Sequence, residues 1–302
     1  HPHTAPHNRP TPDPTTMQLM NQLSLLGLLH GGEFSWTRFE VHISTLIGCV
    51  LWVAAYYHVI VRWRPDSEAP ASAIQQTAFV GGTVLLFLSL NGPLHDLSDN
   101  FLFSAHMVQH LIITLIVPPL WLMGLPRWAL RPLLRNDTEL MIARAVTGPV
   151  AAFAIYNLVF IGWHFPSMYN WALVNHNAHI LQHMLFIGAA TLMWWPVVDP
   201  VPELERLQTP VRLLYMAALG IPMSIVSAII TFAEQVMYPW YDAAPRVFET
   251  LSAVDDQQLG GVIMWVPGMI VFWIALTIVF FRWSGREERE ERQSRAVLQA
   301  GG

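Results

Sequence analysis

Lysine is absent from this 302-residue chain, cysteine occurs once, and charged residues make up only 12% of it. Each shortage excludes something. A single cysteine, Cys49 in an apolar run, leaves no internal disulfide, no CxxC redox pair and no all-thiolate metal site. A soluble domain is about a quarter charged. A charged share of 12% beside 53% hydrophobic residues therefore marks an integral membrane protein. The net charge of −5 supplies no basic surface for nucleic acid. No internal repeat is evident, which disfavours an inverted-repeat transporter. The apolar runs also lack a file of ionisable residues through their middles, as an ion-translocation path would need. No nucleophile or acid–base constellation stands out, so no enzyme is expected.

What the chain does have is long apolar runs. Seven stretches are long enough to cross a bilayer, at roughly 42–61, 75–92, 104–124, 142–163, 178–198, 211–233 and 260–281. The arginines orient them. With the N-terminus outside, the inside segments hold Arg62, Arg64, Arg127, Arg131, Arg135, Arg144, Arg206, Arg212, Arg282, Arg286, Arg289, Arg292 and Arg295. The outer ones hold only Arg9, Arg38 and Arg246. Such a bias is the positive-inside pattern. The expected fold is thus all-α, a polytopic membrane helix bundle of seven transmembrane helices, N-terminus outside and C-terminus cytoplasmic. Residues 1–41 form an outer His/Pro-rich tail with a short interfacial segment at 17–30, residues 42–283 the membrane domain, and residues 284–302 a charged cytoplasmic tail.

Histidine is the second abundance. In this topology nine of the thirteen histidines, His30, His42, His95, His106, His110, His164, His176, His179 and His183, fall at the outer ends of the spans. His106 and His110 are spaced i, i+4, and His176, His179 and His183 are spaced i, i+3, i+7, so each set shares one helical face. Imidazole is expensive to place in a membrane and is the commonest neutral metal ligand. Carboxylates gather on the same side: Glu33, Glu40, Asp96, Asp99, Glu234, Asp242, Glu249, Asp255 and Asp256. A metal-bound imidazole usually gives its other nitrogen to such a group. Met168, Met237 and Met264 are there too, and thioethers beside imidazoles suit copper, Cu(I) above all. The blander readings are a capping role for His164 ahead of Pro166, a loop position for His176, packing for the methionines and a helix N-terminus for Asp255 and Asp256.

The stretches HMVQHLIITLIVPPLWLMG (106–124), WHFPSMYNWAL (163–173), HNAHILQHMLFIGAATLMWWPVV (176–198) and DQQLGGVIMWVPG (256–268) resemble the CtaG family of caa3-type cytochrome c oxidase assembly proteins. The resemblance runs from about residue 40 to 283. It implies a polytopic protein of the bacterial plasma membrane that assists maturation of a haem-copper oxidase, with copper handled on the periplasmic or extracellular side. By resemblance His106, His110, His164, His179 and His183 are the copper-site histidines, with Asp256 and Gln257 nearby; spacing adds His176. The expected partners are a haem-copper oxidase subunit or a larger electron-transfer complex, and the lipid bilayer.

Two other functions stay open at this point. Histidines on facing helices can ligate haem b axially, which would make the protein a redox subunit. It also fits a stable accessory subunit of a respiratory or photosynthetic complex, with no working metal site.

Overall fold

A computed structural model describes residues 34–300 apart from 202, 205 and 206. Residues 1–33 of the expected tail, with the interfacial segment, His30 and Glu33, lie outside the described residues. In chain order the helices are α1 (Ile43–Arg62), α2 (Ala73–Ser89), α3 (Gly92–Asn100), α4 (Phe103–Gly124), α5 (Asp137–Thr147), α6 (Pro149–His164), α7 (Pro166–Val174), α8 (His176–Val198), α9 (Thr209–Thr231), α10 (Pro239–Ala243) and α11 (Ala253–Ala300). No strand occurs among the described residues. Helices α1, α4, α8, α9 and most of α11 are long and apolar enough to cross a membrane, which makes this a multi-pass membrane protein. Two further spans arise only if each bent pair is counted as one, α2 with α3 (48°) and α5 with α6 (57°). The expected seven is the upper end of a range of five to seven.

Both bends have local causes. Between α2 and α3, Gly92 takes φ +69°, a left-handed conformation that a Cβ would strain and that the Phe39 ring leaves no room for. Asn91 fixes the corner: its amide donates to the Phe87 carbonyl (2.7 Å) and its Oδ1 accepts the His42 N–H (2.7 Å). Between α5 and α6 the break falls at Gly148-Pro149, where the residue before proline is held extended (ψ 144°) and Pro149 opens the next helix. Pro166 acts likewise on Phe165 between α6 and α7.

Helix α4 is α-helical at both ends and π-helical over Ile112–Ile116. Pro118 has no N–H to give the Thr114 carbonyl four residues back. That carbonyl instead accepts the Trp194 indole N–H from α8 (3.0 Å). The Thr114 hydroxyl in turn donates to the His110 carbonyl (2.6 Å). Trp194 is therefore a buried tie between α4 and α8, stacked on Phe272.

The main core lies between α4, α6, α8, α9 and α11, around Tyr156, Phe186, Met193, Trp194, Met216 and Met223. A smaller core, with Tyr56, Phe79 and Trp121, joins α1 and α2 to the far end of α4. There the Tyr56 hydroxyl donates to the last α4 carbonyl, Gly124 (3.0 Å). Most of α1 faces outward and apolar, as a lipid-facing helix does: of its residues only Tyr56 and Ile60 are buried. Helix α11 runs without a break past the expected end of the membrane domain, carrying exposed i, i+4 pairs Arg292–Glu288 (3.4 Å) and Arg295–Glu291 (3.3 Å).

Candidate metal centre

The site is built by fixing the first turns of two helices. Phe103 opens α4, and its N–H donates to Asp256 Oδ2 (2.7 Å) on α11. Asp256 Oδ1 accepts from both the N–H (3.2 Å) and the hydroxyl of Ser104. A fully buried carboxylate thus caps α4 from a neighbouring helix, satisfying amides that have no partner within the helix. One turn along α11, Gly260 lets the Phe103 ring sit where a Cβ would stand at 2.3 Å. These contacts set the rotation of α4 and hence the direction of His106 and His110. On α8, Asn175 caps the first turn by accepting the Ala178 N–H (3.1 Å), and His179 and His183 follow on one face.

The two faces meet. One nitrogen from each of His106, His179 and His183 lies within 4.8 Å of the others, and all three residues are buried. Ring centroids are 5.8 Å apart for His106–His179, 6.4 Å for His106–His183 and 4.4 Å for His179–His183. The second nitrogens of His106 and His179 have partners of the kind a metal site uses. His106 Nδ1 lies 3.2 Å from the Ser98 carbonyl and 3.0 Å from the Tyr241 hydroxyl, which itself donates to Ser98 O (2.7 Å). His179 Nδ1 faces Asp99 Oδ2 at 3.4 Å. Asp99 is shared: His95 Nε2 is also 3.4 Å from it. His95 Nδ1 accepts from Gln109 Nε2 (3.1 Å), so the network assigns the proton to the His95 nitrogen that faces the carboxylate. Nε2 of His179 and Nε2 of His183 have no hydrogen-bond partner among the described residues although both are buried. Leaving such a nitrogen empty costs about 1–3 kcal/mol, a debt that a bound cation cancels.

His110 lies beside this group, its Nε2 2.8 Å from Nε2 of His106. His164, at the end of α6, gives Nδ1 to the Phe160 carbonyl (2.7 Å) and keeps a buried Nε2 without a partner. Of the expected ligands, then, His106, His179 and His183 come together, His110 adjoins them, and His164 lies further in. His176 is exposed at the start of α8 and stands outside the group. Asp256 is spent on capping α4. Gln257 is spent too, its Oε1 accepting the Met237 N–H (2.7 Å) and its Nε2 donating to the Gln235 carbonyl (3.2 Å).

Sequence reasoning passed over several contributors. Asp99 was one of nine rim carboxylates, and its i, i+4 spacing from His95 was the available signal. Tyr169, Tyr238 and Tyr241, buried around the histidines, carried none. Tyr238 donates to the His164 carbonyl (3.0 Å), and the Tyr169 and Tyr241 hydroxyls are 3.4 Å apart. Trp240 donates to the Asp99 carbonyl (2.7 Å), holding the end of α3 against α10.

Fold and site together define a class: a multi-pass helical membrane protein with a group of buried histidines at one end of its bundle. Residues 54–286 match the family described as cytochrome c oxidase caa3 assembly factor, and the chain belongs to that family. Among curated proteins it is similar to an uncharacterized protein of Mycobacterium bovis, 24% identical over 212 residues, covering 62% of this chain and 31% of that one. It is also similar to an uncharacterized protein of Mycobacterium leprae, 21% identical over 234 residues, covering 69% of this chain and 34% of that one. The chain thus spans about a third of the length of the curated relatives it matches. No solved structure matches it.

Proposed function

We propose that this protein holds copper at His106, His179 and His183 while a haem-copper oxidase is assembled, and passes it to the oxidase subunit that lacks it. The observation that carries the reading is the trio itself: three buried imidazole donors within 4.8 Å, two of them with Nε2 unpartnered. Imidazoles suit copper. The Ser98 carbonyl and the Asp99 carboxylate hold His106 and His179 in orientation and raise their basicity. The role is non-catalytic: the ion is cargo, and the protein supplies orientation and a dry surrounding. The arginine asymmetry supports a periplasmic or extracellular location for this end of the bundle, where copper would be collected.

Metal analysis and an optical spectrum on the detergent-purified protein test this together. Copper retained by the wild type and diminished in the His179→Ala/His183→Ala variant, without a Soret band, is the expected result. A Soret band with sharp reduced α-bands would replace this reading with the redox subunit. Equal copper retention in the double variant would remove the trio from the site.

A further inference from the structure

A cavity lies one helical turn beyond the trio along α4. His110 lines it from α4 and His164 from α6, each 6% exposed. Three methionines converge on the same space from three helices: Met107 of α4, Met223 of α9 and Met264 of α11. All three are at most 3% exposed. His110 Nδ1 and His164 Nε2 are buried with no hydrogen-bond partner among the described residues. The Phe186 ring flanks both imidazoles, at 4.7 Å from His110 and 6.1 Å from His164.

We propose that these five side chains form a second metal site, for a soft monovalent cation of the Cu(I) class. The argument has three parts. First, two unpartnered imidazole nitrogens on one apolar cavity are an unmet demand of about 1–3 kcal/mol each. Apolar cavities stay dry, and water needs two to four polar partners. Second, methionine in a membrane core is usually packing, but here three methionines line one cavity together with the two imidazoles that carry the unpartnered nitrogens. Thioether with imidazole is the donor set that selects Cu(I). Third, the lining has no carboxylate. A divalent ion would keep its full excess charge in a low-dielectric interior, whereas a monovalent one leaves a single charge to solvate. The trio differs in this respect, with Asp99 at 3.4 Å from His179. His110 joins the two places: it lines the cavity, and its Nε2 is 2.8 Å from Nε2 of His106. The proposal rests on the copper reading of the trio only for the identity of the ion.

The test uses the full-length protein in detergent, reduced and anaerobic, titrated with Cu(I) alone against a coloured chelator and followed by X-ray absorption. The expected wild type takes up two ions per chain, with sulfur scatterers at about 2.3 Å beside the nitrogens, the length of a metal–sulfur bond. Met223→Leu/Met264→Leu conserves volume and should fold, since such swaps cost under about 1.5 kcal/mol. It should lose one ion and the sulfur shell. His179→Ala/His183→Ala should lose the other ion and keep the sulfur shell. Wild-type uptake of one ion with nitrogen ligands only, unchanged by the methionine pair, overturns the second site and leaves the trio standing. A sulfur-ligated ion that survives together with an undiminished count in the histidine pair upholds the second site and removes the trio.

Discussion

Asp99→Ala isolates what the carboxylate beside His179 does for a bound ion without touching a ligand. Two unit charges 3.4 Å apart at an effective dielectric of 20 interact by about 5 kcal/mol. A metal-bound imidazole carries only part of the ion's charge. A quarter to a half of a unit charge gives about 1.2–2.4 kcal/mol, or about 10- to 60-fold in affinity. Partners of this kind cost about 10- to 100-fold when removed from other metal sites, so the two routes agree. Asp99→Asn keeps an acceptor for the imidazole N–H and loses the charge, and should fall between wild type and alanine. The assay is chelator competition for Cu(I) on detergent-purified protein, with the melting temperature of the metal-free forms as the control for folding. Wild-type affinity in Asp99→Ala, at an unchanged melting temperature, refutes the reasoning: Asp99 would then act on His95 and the fold alone.

Two further expectations concern the scaffold. Gly260→Ala should destabilise by about 1–3 kcal/mol, because the new methyl group meets the Phe103 ring at 2.3 Å and 2.6 Å, and it should weaken metal binding through α4. Gly81→Ala, on an open face of α2 with nothing within 4 Å, should instead stabilise by about 0.5–1 kcal/mol; thermal unfolding in detergent compares the two, and an equal loss in both would contradict the packing argument. Trp194→Phe leaves the Thr114 carbonyl, already abandoned by Pro118, without a donor. A loss of about 1–3 kcal/mol is expected, which the further change Pro118→Ala should partly restore by returning an N–H.

Much of the helical layout was legible in the sequence because apolar length is a strong signal. The expected 104–124, 178–198 and 211–233 differ from the observed helices by two residues or fewer at each end. Bends were less legible. The stretch 75–92 reads as one apolar run, yet the chain turns at its end, at Asn91-Gly92, where the reason is a left-handed glycine and an Asn91 side chain that accepts the His42 N–H. The histidine faces were readable from their spacing, since i, i+4 fixes direction on a helix. What lay across from those faces was not. Asp99 reaches His179 only because α3 bends away from α2. Met107, Met223 and Met264 share a cavity through the packing of three helices, about which spacing within any one of them says nothing. Asp256 caps α4, a role that sequence did not reveal, because a carboxylate that caps a distant helix looks in sequence like any acid ahead of a span.

His106 and His179 are each the fourth residue of their helices, α4 and α8. Both therefore stand at the positive end of a peptide macrodipole. A cation bound there would be opposed by about 0.3–1 kcal/mol from a helix end without an acidic cap, about 2- to 5-fold in affinity relative to the same ligands elsewhere. The buried charge of Asp256 quiets the α4 end, while α8 is capped by the neutral Asn175. In the role proposed above, this would shorten the residence time of the ion: the imidazoles would give the grip, and the helix backbone would set how long it lasts.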